Sequence, residues 1–237
     1  MFKTHNVDAP LVPILFCGGG LIILALGFIP PITIAHSLGN WIGGGWLLIC
    51  GLIYLHTSLV GKPLIWQKVL QQTKINANGN YLDIGCGHGL VMFEVAKRLQ
   101  MGQVIGIDIW NNSDQAHNSI QAVTEEIQKR GLNHQVSVQT ADMRELPFAD
   151  NTFDGITASF AIHNVKPASN RYQALAEMVR VLKSNGQLII VDTEYKDTEF
   201  ITALKQLGVT TVKKQKIGFN GWWGGPWMAS FVIRAQK

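Results

Sequence analysis

The chain has 237 residues, with 20 Lys and Arg against 16 Asp and Glu and a formal net charge of +4. So small an excess, with no basic tract interleaved by aromatics, argues against a nucleic-acid partner. The length allows one large domain, or one domain plus an anchor. Three cysteines, Cys17, Cys50 and Cys86, make no disulfide framework, which suits a reducing compartment.

Charge is distributed unevenly. Between Asp8 and Lys62 there is no Asp, Glu, Lys or Arg. Two apolar segments, 11–34 and 41–60, fill this stretch, each near the ~20 residues that cross a bilayer. Pro30-Pro31 and the polar residues 37–40 read as a turn between them. The pattern predicts a transmembrane helical hairpin over residues 1–61, with the lipid bilayer as partner. A signal peptide would have a shorter apolar region, about 7–15 residues. A buried pair in a soluble protein would carry a polar stripe. Lys3 precedes the first span, and Lys62, Lys68 and Lys74 follow the second. Both ends, and whatever follows, are therefore expected on the cytoplasmic side. Gly39-x-x-x-Gly43 and the run Gly43–Gly45 offer close helix contact. Trp41, Trp46 and Trp66 are read as markers of the membrane interfaces.

Residues 62–78 read as an amphipathic linker helix with its turn, and 79–237 as a soluble domain. A β-rich run, 81–84, breaks into Gly85-Cys86-Gly87-His88-Gly89 and then a helical pattern, 90–99. Glycines there permit a tight turn, and the helix start offers free N–H groups. A second strand, 104–107, ends in Asp108, about 20 residues after the glycines, where a doubly wound fold puts its ribose acid. A third, 135–140, runs into Ala141-Asp142-Met143, and a fourth covers 153–159. Helices are expected over 113–130, stopped by Gly131, and over 168–182 and 198–207. Asp114 and Gln115 are candidate caps of the first of these. Strands are expected at 187–192, 209–217 and 227–234.

In this order the motifs resemble the class I S-adenosylmethionine-dependent methyltransferases, especially the ubiquinone/menaquinone methyltransferase-like group. The resemblance rests on Asp83-Ile84-Gly85-Cys86-Gly87-His88-Gly89, Asp108, Asp142-Met143 before Leu146-Pro147-Phe148, Phe153-Asp154, and Arg180-Val181-Leu182-Lys183 with Gly186-Gln187-Leu188. It covers roughly residues 70–237. It implies an α/β fold, a doubly wound seven-stranded sheet of order 3-2-1-4-5-7-6 with the last strand antiparallel. It also implies S-adenosylmethionine as methyl donor. By motif position, Asp83, Gly85, Cys86, Gly87 and Gly89 belong to the methionine side and Asp108 to the ribose. Ile109 and Trp110 are expected beside the adenine, with Asp142 and the Met143 N–H on its edge. Ser159 stands at the methyl end. For Trp110 the competing reading is a cover on the sheet edge, and His88 is read as a helix cap or cofactor neighbour.

Methyl transfer from a sulfonium needs alignment and water exclusion more than acid–base groups. A base helps when the nucleophile is a hydroxyl or an acidic carbon. The segment after the fourth strand, Ser159–Asn164, lacks the Asp/Asn-Pro-Pro-Tyr/Phe pattern of amino-directed relatives. His163 is the candidate base, against a purely structural hydrogen-bonding role, with Asn164 beside it. Trp222-Trp223, in the glycine-flanked loop 218–226, read either as an acceptor entrance at the membrane or as a cap on the core. No metal site is read, and with Cys86 alone near the site an arsenite methyltransferase is a poor fit. Two functions stay open: a membrane-anchored methyltransferase for a small lipophilic acceptor, and a membrane-tethered S-adenosylmethionine-binding sensor without catalysis.

Overall fold

The computed structural model describes residues 7–29, 34–111 and 118–237. The elements in chain order are α1 (Leu11–Leu26), α2 (Ile34–His56), α3 (Lys62–Gln71), β1 (Asn80–Ile84), α4 (Leu90–Ala96), β2 (Gln103–Asp108) and α5 (Ile120–Lys129). After them come β3 (Val136–Thr140), β4 (Phe153–Ser159), α6 (Ala168–Val181), β5 (Leu182–Asp192), α7 (Asp197–Gln206), β6 (Thr211–Lys216) and β7 (Phe231–Gln236).

The seven strands form one sheet of order β3-β2-β1-β4-β5-β7-β6. Pairing is parallel except at β7, which runs antiparallel to both β5 and β6. The expected order and the reversed last strand are both found. Strand direction and apolar content explain the layers. β1, β4 and the second half of β5 are buried along nearly their whole length, as strands covered on both faces must be. One core cluster joins Leu82, Ile156, Leu175, Met178, Leu188 and Phe200. A second, on the other face, joins Trp66, Val69, Val91, Met92, Val123 and Val191. The chain reverses its winding between β1 and β4, and in such sheets the ligand crevice lies at that point, beyond the strands' carboxyl ends.

Several boundaries differ from expectation. α4 stops at Ala96, three residues before 99. α5 begins at Ile120, capped by Ser119, whose Oγ accepts from the Ala122 N–H. Asp114 and Gln115 lie outside the described residues. β7 begins at Phe231, because Trp227 belongs to a short 3-10 turn, Pro226–Met228.

The N-terminal helices form an antiparallel pair. They cross where Gly20 meets Gly44: a Cβ on Gly20 would stand 2.8 Å from the Gly44 carbonyl oxygen, and one on Gly44 would stand 2.7 Å from that of Gly20. Of the glycines expected at the contact, Gly44 of the run Gly43–Gly45 is there, while Gly39, Gly43 and Gly45 face open space. Residues 37–40, expected as a turn, are helical; Pro30 and Pro31 lie outside the described residues. Two full spans do not follow. α1 has 16 residues, about 24 Å at 1.5 Å each, short of the ~30 Å of hydrocarbon. One helix, running from His36 through α3 to Gln71, is long and apolar enough to cross a membrane, and half of its most apolar stretch is buried by protein.

The linker helix is not a separate element. α3 continues α2 through a π-helical turn, Thr57–Gly61. Ile65, Trp66, Val69 and Leu70 then pack into the second core cluster. Trp66, expected at a membrane interface, is fully buried. Lys62, expected as a flanking charge, is buried and paired with Asp8 at 3.0 Å.

Candidate active site

The glycine turn sits at the carboxyl end of β1. Gly85 has φ +63°, and a Cβ there would meet the Ala161 Cβ at 2.4 Å, so both conformation and space demand glycine. The Gly87 N–H donates to Asp108 Oδ2 at 2.8 Å, and the Trp110 N–H donates to Oδ1 at 2.7 Å. Asp108 therefore pins the ends of β1 and β2 together and presents its carboxylate at the crevice.

A cavity of about 830 Å³ opens there. Gly85, Gly87, Asp108, Ile109, Asp142, Met143, Ser159, His163 and Asn164 line it. These nine expected residues and Trp223 are brought to one space. Asp83, Cys86, Gly89, Trp110 and Trp222 do not line it. The Cys86 side chain is buried beneath the turn, and burial, followed by the charges of Asp83 and Asp108, raises its thiol well above the usual range. Trp110 lies against the second core cluster, with Nε1 donating to Thr140 Oγ1 at 2.8 Å. Ile109, exposed, is the apolar side chain that reaches the cavity.

Asp83 is buried under the glycine turn. Its Oδ1 accepts from Thr157 Oγ1 at 2.7 Å and its Oδ2 from the Met92 N–H at 3.2 Å. Burial raises its pKa to about 7, against those two bonds; the Asp108 charge adds to the rise and the Lys62 cation opposes it. Asp142 is held below the usual carboxylate range by the Arg144 guanidinium, whose Nε lies 3.0 and 2.9 Å from its two oxygens. The sequence reading did not single out Arg144, although its place two residues after Asp142 was the available signal.

Asp192, the last residue of β5, was also missed. It is fully buried. Its Oδ1 lies 2.5 Å from His163 Nδ1, and its Oδ2 accepts from the His163 N–H at 3.2 Å. An acid at the carboxyl end of a strand beside the switch point was the signal that could have found it.

The hairpin forms the cavity's roof. Val12 and Phe16 of α1 and Cys50 and Tyr54 of α2 line it. The π turn shifts the helix register so that Thr57 Oγ1 donates to the Trp222 carbonyl and Ser58 Oγ to Asp8 Oδ2. Trp66 Nε1 donates to Ser159 Oγ at 2.7 Å. Trp223 packs edge-on against Tyr54 and Phe160, with ring centroids 5.0 and 5.1 Å away. Trp222 instead meets Phe219 and is half-buried. The pair expected to act together is thus split. Trp227, not foreseen, lines the cavity and meets Trp46 of α2 at 5.6 Å.

The crevice fits an S-adenosylmethionine-like ligand on its own terms. A glycine-rich turn permits backbone approach, and the carboxylates of Asp108 and Asp142 line the same cavity as possible acceptors for hydroxyl and amino groups. Comparison with known proteins agrees. Residues 82–190 match the family model described as a methyltransferase domain. Over 149 residues the chain is 30% identical to a demethylmenaquinone methyltransferase of Lactiplantibacillus plantarum, covering 62% of this chain and 59% of that one. It is 34% identical over 135 residues to a ubiquinone/menaquinone biosynthesis C-methyltransferase of Desulfotalea psychrophila, covering 56% and 50%. The chain thus spans between half and three-fifths of the length of these relatives. In fold it is similar to an S-adenosylmethionine-dependent methyltransferase of Aquifex aeolicus, with TM-score 0.59 and 23% identity over 72% of this chain and 88% of that one. Residues 82–190 thus resemble an S-adenosylmethionine-dependent methyltransferase domain, and a helical hairpin lines the cavity at its crevice.

Proposed function

We propose that this protein transfers a methyl group from S-adenosylmethionine to an acidic oxygen or carbon of a small lipophilic acceptor at a membrane face. The observation that carries the reading is one cavity lined both by Gly85 and Asp108 and by His163, whose ring Asp192 holds from beneath. The donor's sulfonium supplies an activated methyl group. Asp108 would hold the ribose, Ile109 and Met143 would stand by the base, and the backbone at Gly85 and Gly87 would make room for the methionine part. Asp192 fixes the imidazole with its proton on Nδ1, which makes Nε2 the basic nitrogen. His163 then takes the proton of the acceptor as its nucleophile attacks, and Asn164 helps seat that acceptor. The hairpin roof excludes water.

The lipophilic part of the reading draws on two things. The relatives named above are quinone methyltransferases by their descriptions. The hairpin's outer surface is also apolar: Leu11, Ile14, Leu15 and Ile22 on α1, and Ile42 and Ile49 on α2, are all more than half exposed. Contiguous surface of that kind is covered in a functioning protein by lipid or by a partner. A bilayer suits it, because residues 9–61 carry no formal charge. Lys68 and Lys74 support a cytoplasmic domain.

The test is transfer of labelled methyl to a total lipid extract by the full-length protein, with the product identified by mass spectrometry. A labelled lipophilic product is expected. S-adenosylmethionine binding without transfer would favour the sensor reading.

A further inference from the structure

We infer that the hairpin end of the cavity is the acceptor's seat, and that it takes an aromatic amphiphile whose ionisable hydroxyl turns toward His163. The inference rests on the methyltransferase reading and adds a place and a shape to the acceptor.

Three observations lead there. First, the cavity is large. Its 830 Å³ stands near the top of the ~300–1,000 Å³ usual for small-molecule sites. With Asp108, Ile109 and Asp142 taken by the nucleoside, the lining supplied by the hairpin is left for the acceptor. Second, that space has an apolar, aromatic wall drawn from distant parts of the chain: Val12 and Phe16 from α1, Tyr54 from α2, and Trp223 and Trp227 from the loop before β7. Flat rings find edge-to-face and offset partners among such side chains. Third, on the hairpin side the charges at the cavity, Lys62 and Asp8, are already paired, while Lys166 and Glu194 line it beside Asn164 and Thr193. Lys62 sits 5.6 Å above the Phe160 ring and is paired with Asp8, which Ser58 also holds. A buried cation so engaged leaves the wall suited to a neutral body. The acceptor's one polar atom then has His163 as its partner, beside Ser159 and Asn164.

This assigns binding residues to α1 and α2, outside the segment matched as a methyltransferase domain. The acceptor site is incomplete without the hairpin.

The experiment uses the full-length protein in detergent, with 1-naphthol as probe and equilibrium dialysis as readout. Wild type should bind naphthol with S-adenosylhomocysteine present. Val12→Phe fills the wall from α1, and Cys50→Leu fills it from α2. Each should weaken naphthol binding about tenfold or more while changing S-adenosylmethionine affinity less than about twofold. Two independent variants keep the test open should one fail to fold. Naphthol binding unchanged in a folded variant, or absent in wild type, overturns the inference. The methyltransferase reading has its own arm. Wild type that binds S-adenosylmethionine and naphthol but methylates nothing in a lipid extract defeats that reading and leaves the location of the apolar site standing.

Discussion

His163 and Asp192 are joined twice, side chain to side chain at 2.5 Å and backbone N–H to carboxylate at 3.2 Å. The second contact fixes where the backbone sits, and the first fixes how the ring turns. Asp192→Asn should leave S-adenosylmethionine affinity intact and lower kcat by about 10²–10⁴-fold, the usual range for a general base. His163→Ala should fall as far, and the double variant little farther, because the pair acts as a unit. The pH–rate profile of Asp192→Asn should lose or shift its acidic limb. A kcat within a few-fold of wild type would make the pair structural.

Asp108 is expected to carry the ribose contact. It also accepts from Gly87 and Trp110, so the variant must be checked for folding. Asp108→Ala should weaken S-adenosylmethionine binding by about 1.5–3 kcal/mol, the scale for a hydrogen bond to a charged group. Calorimetry on a folded variant with unchanged affinity would remove Asp108 from the site.

Asp83 makes stability depend on pH. Its pKa in the folded state is about 7, above the ordinary carboxylate value of 3.8. Between those values the folded protein keeps a proton that the unfolded chain releases. Asp83's contribution is therefore fully present below about pH 4 and is lost as pH rises through about 7. Asp83→Asn should flatten the stability curve between those limits, measured by denaturant midpoint against pH. A curve for the variant that parallels wild type would contradict the burial argument.

The two tryptophans of the last loop should separate. Trp223 is buried between Tyr54 and Phe160, with Nε1 donating to Ser230 Oγ at 3.1 Å. Trp223→Ala should cost about 3–5 kcal/mol, as truncation of a large buried aromatic does. Trp222→Ala, at a half-buried position, should cost clearly less. Equal losses in thermal unfolding would mean that the two share one environment.

Much of the domain was legible because its signals are local. Glycine spacing, an acid at a strand end and apolar strand runs marked β1 to β5 and the crevice, and the resemblance supplied the sheet order. What escaped depends on contacts between distant segments. Asp192 and His163 are 29 residues apart, and their partnership exists only because β4 and β5 are neighbours. Trp66 looked like an interface marker by composition, yet α3 turns it onto Ser159, 93 residues away. Gly39 and Gly43 matched a packing motif, but of the expected glycines only Gly44, in the run Gly43–Gly45, meets the partner, at Gly20, because rotation about α2 decides which glycines face it. The hairpin itself was read from its lack of charge. Its role as the cavity roof was not, since nothing local ties Val12 or Tyr54 to a site that begins at Gly85.

The most direct test of the account is a single reaction. Full-length protein is incubated with methyl-deuterated S-adenosylmethionine and a total lipid extract, beside Asp192→Asn under the same conditions, and the extract is surveyed by mass spectrometry. The account expects one lipophilic product carrying the intact labelled methyl group, formed by wild type and nearly absent with Asp192→Asn. Bound S-adenosylmethionine with no labelled product in either sample would contradict it.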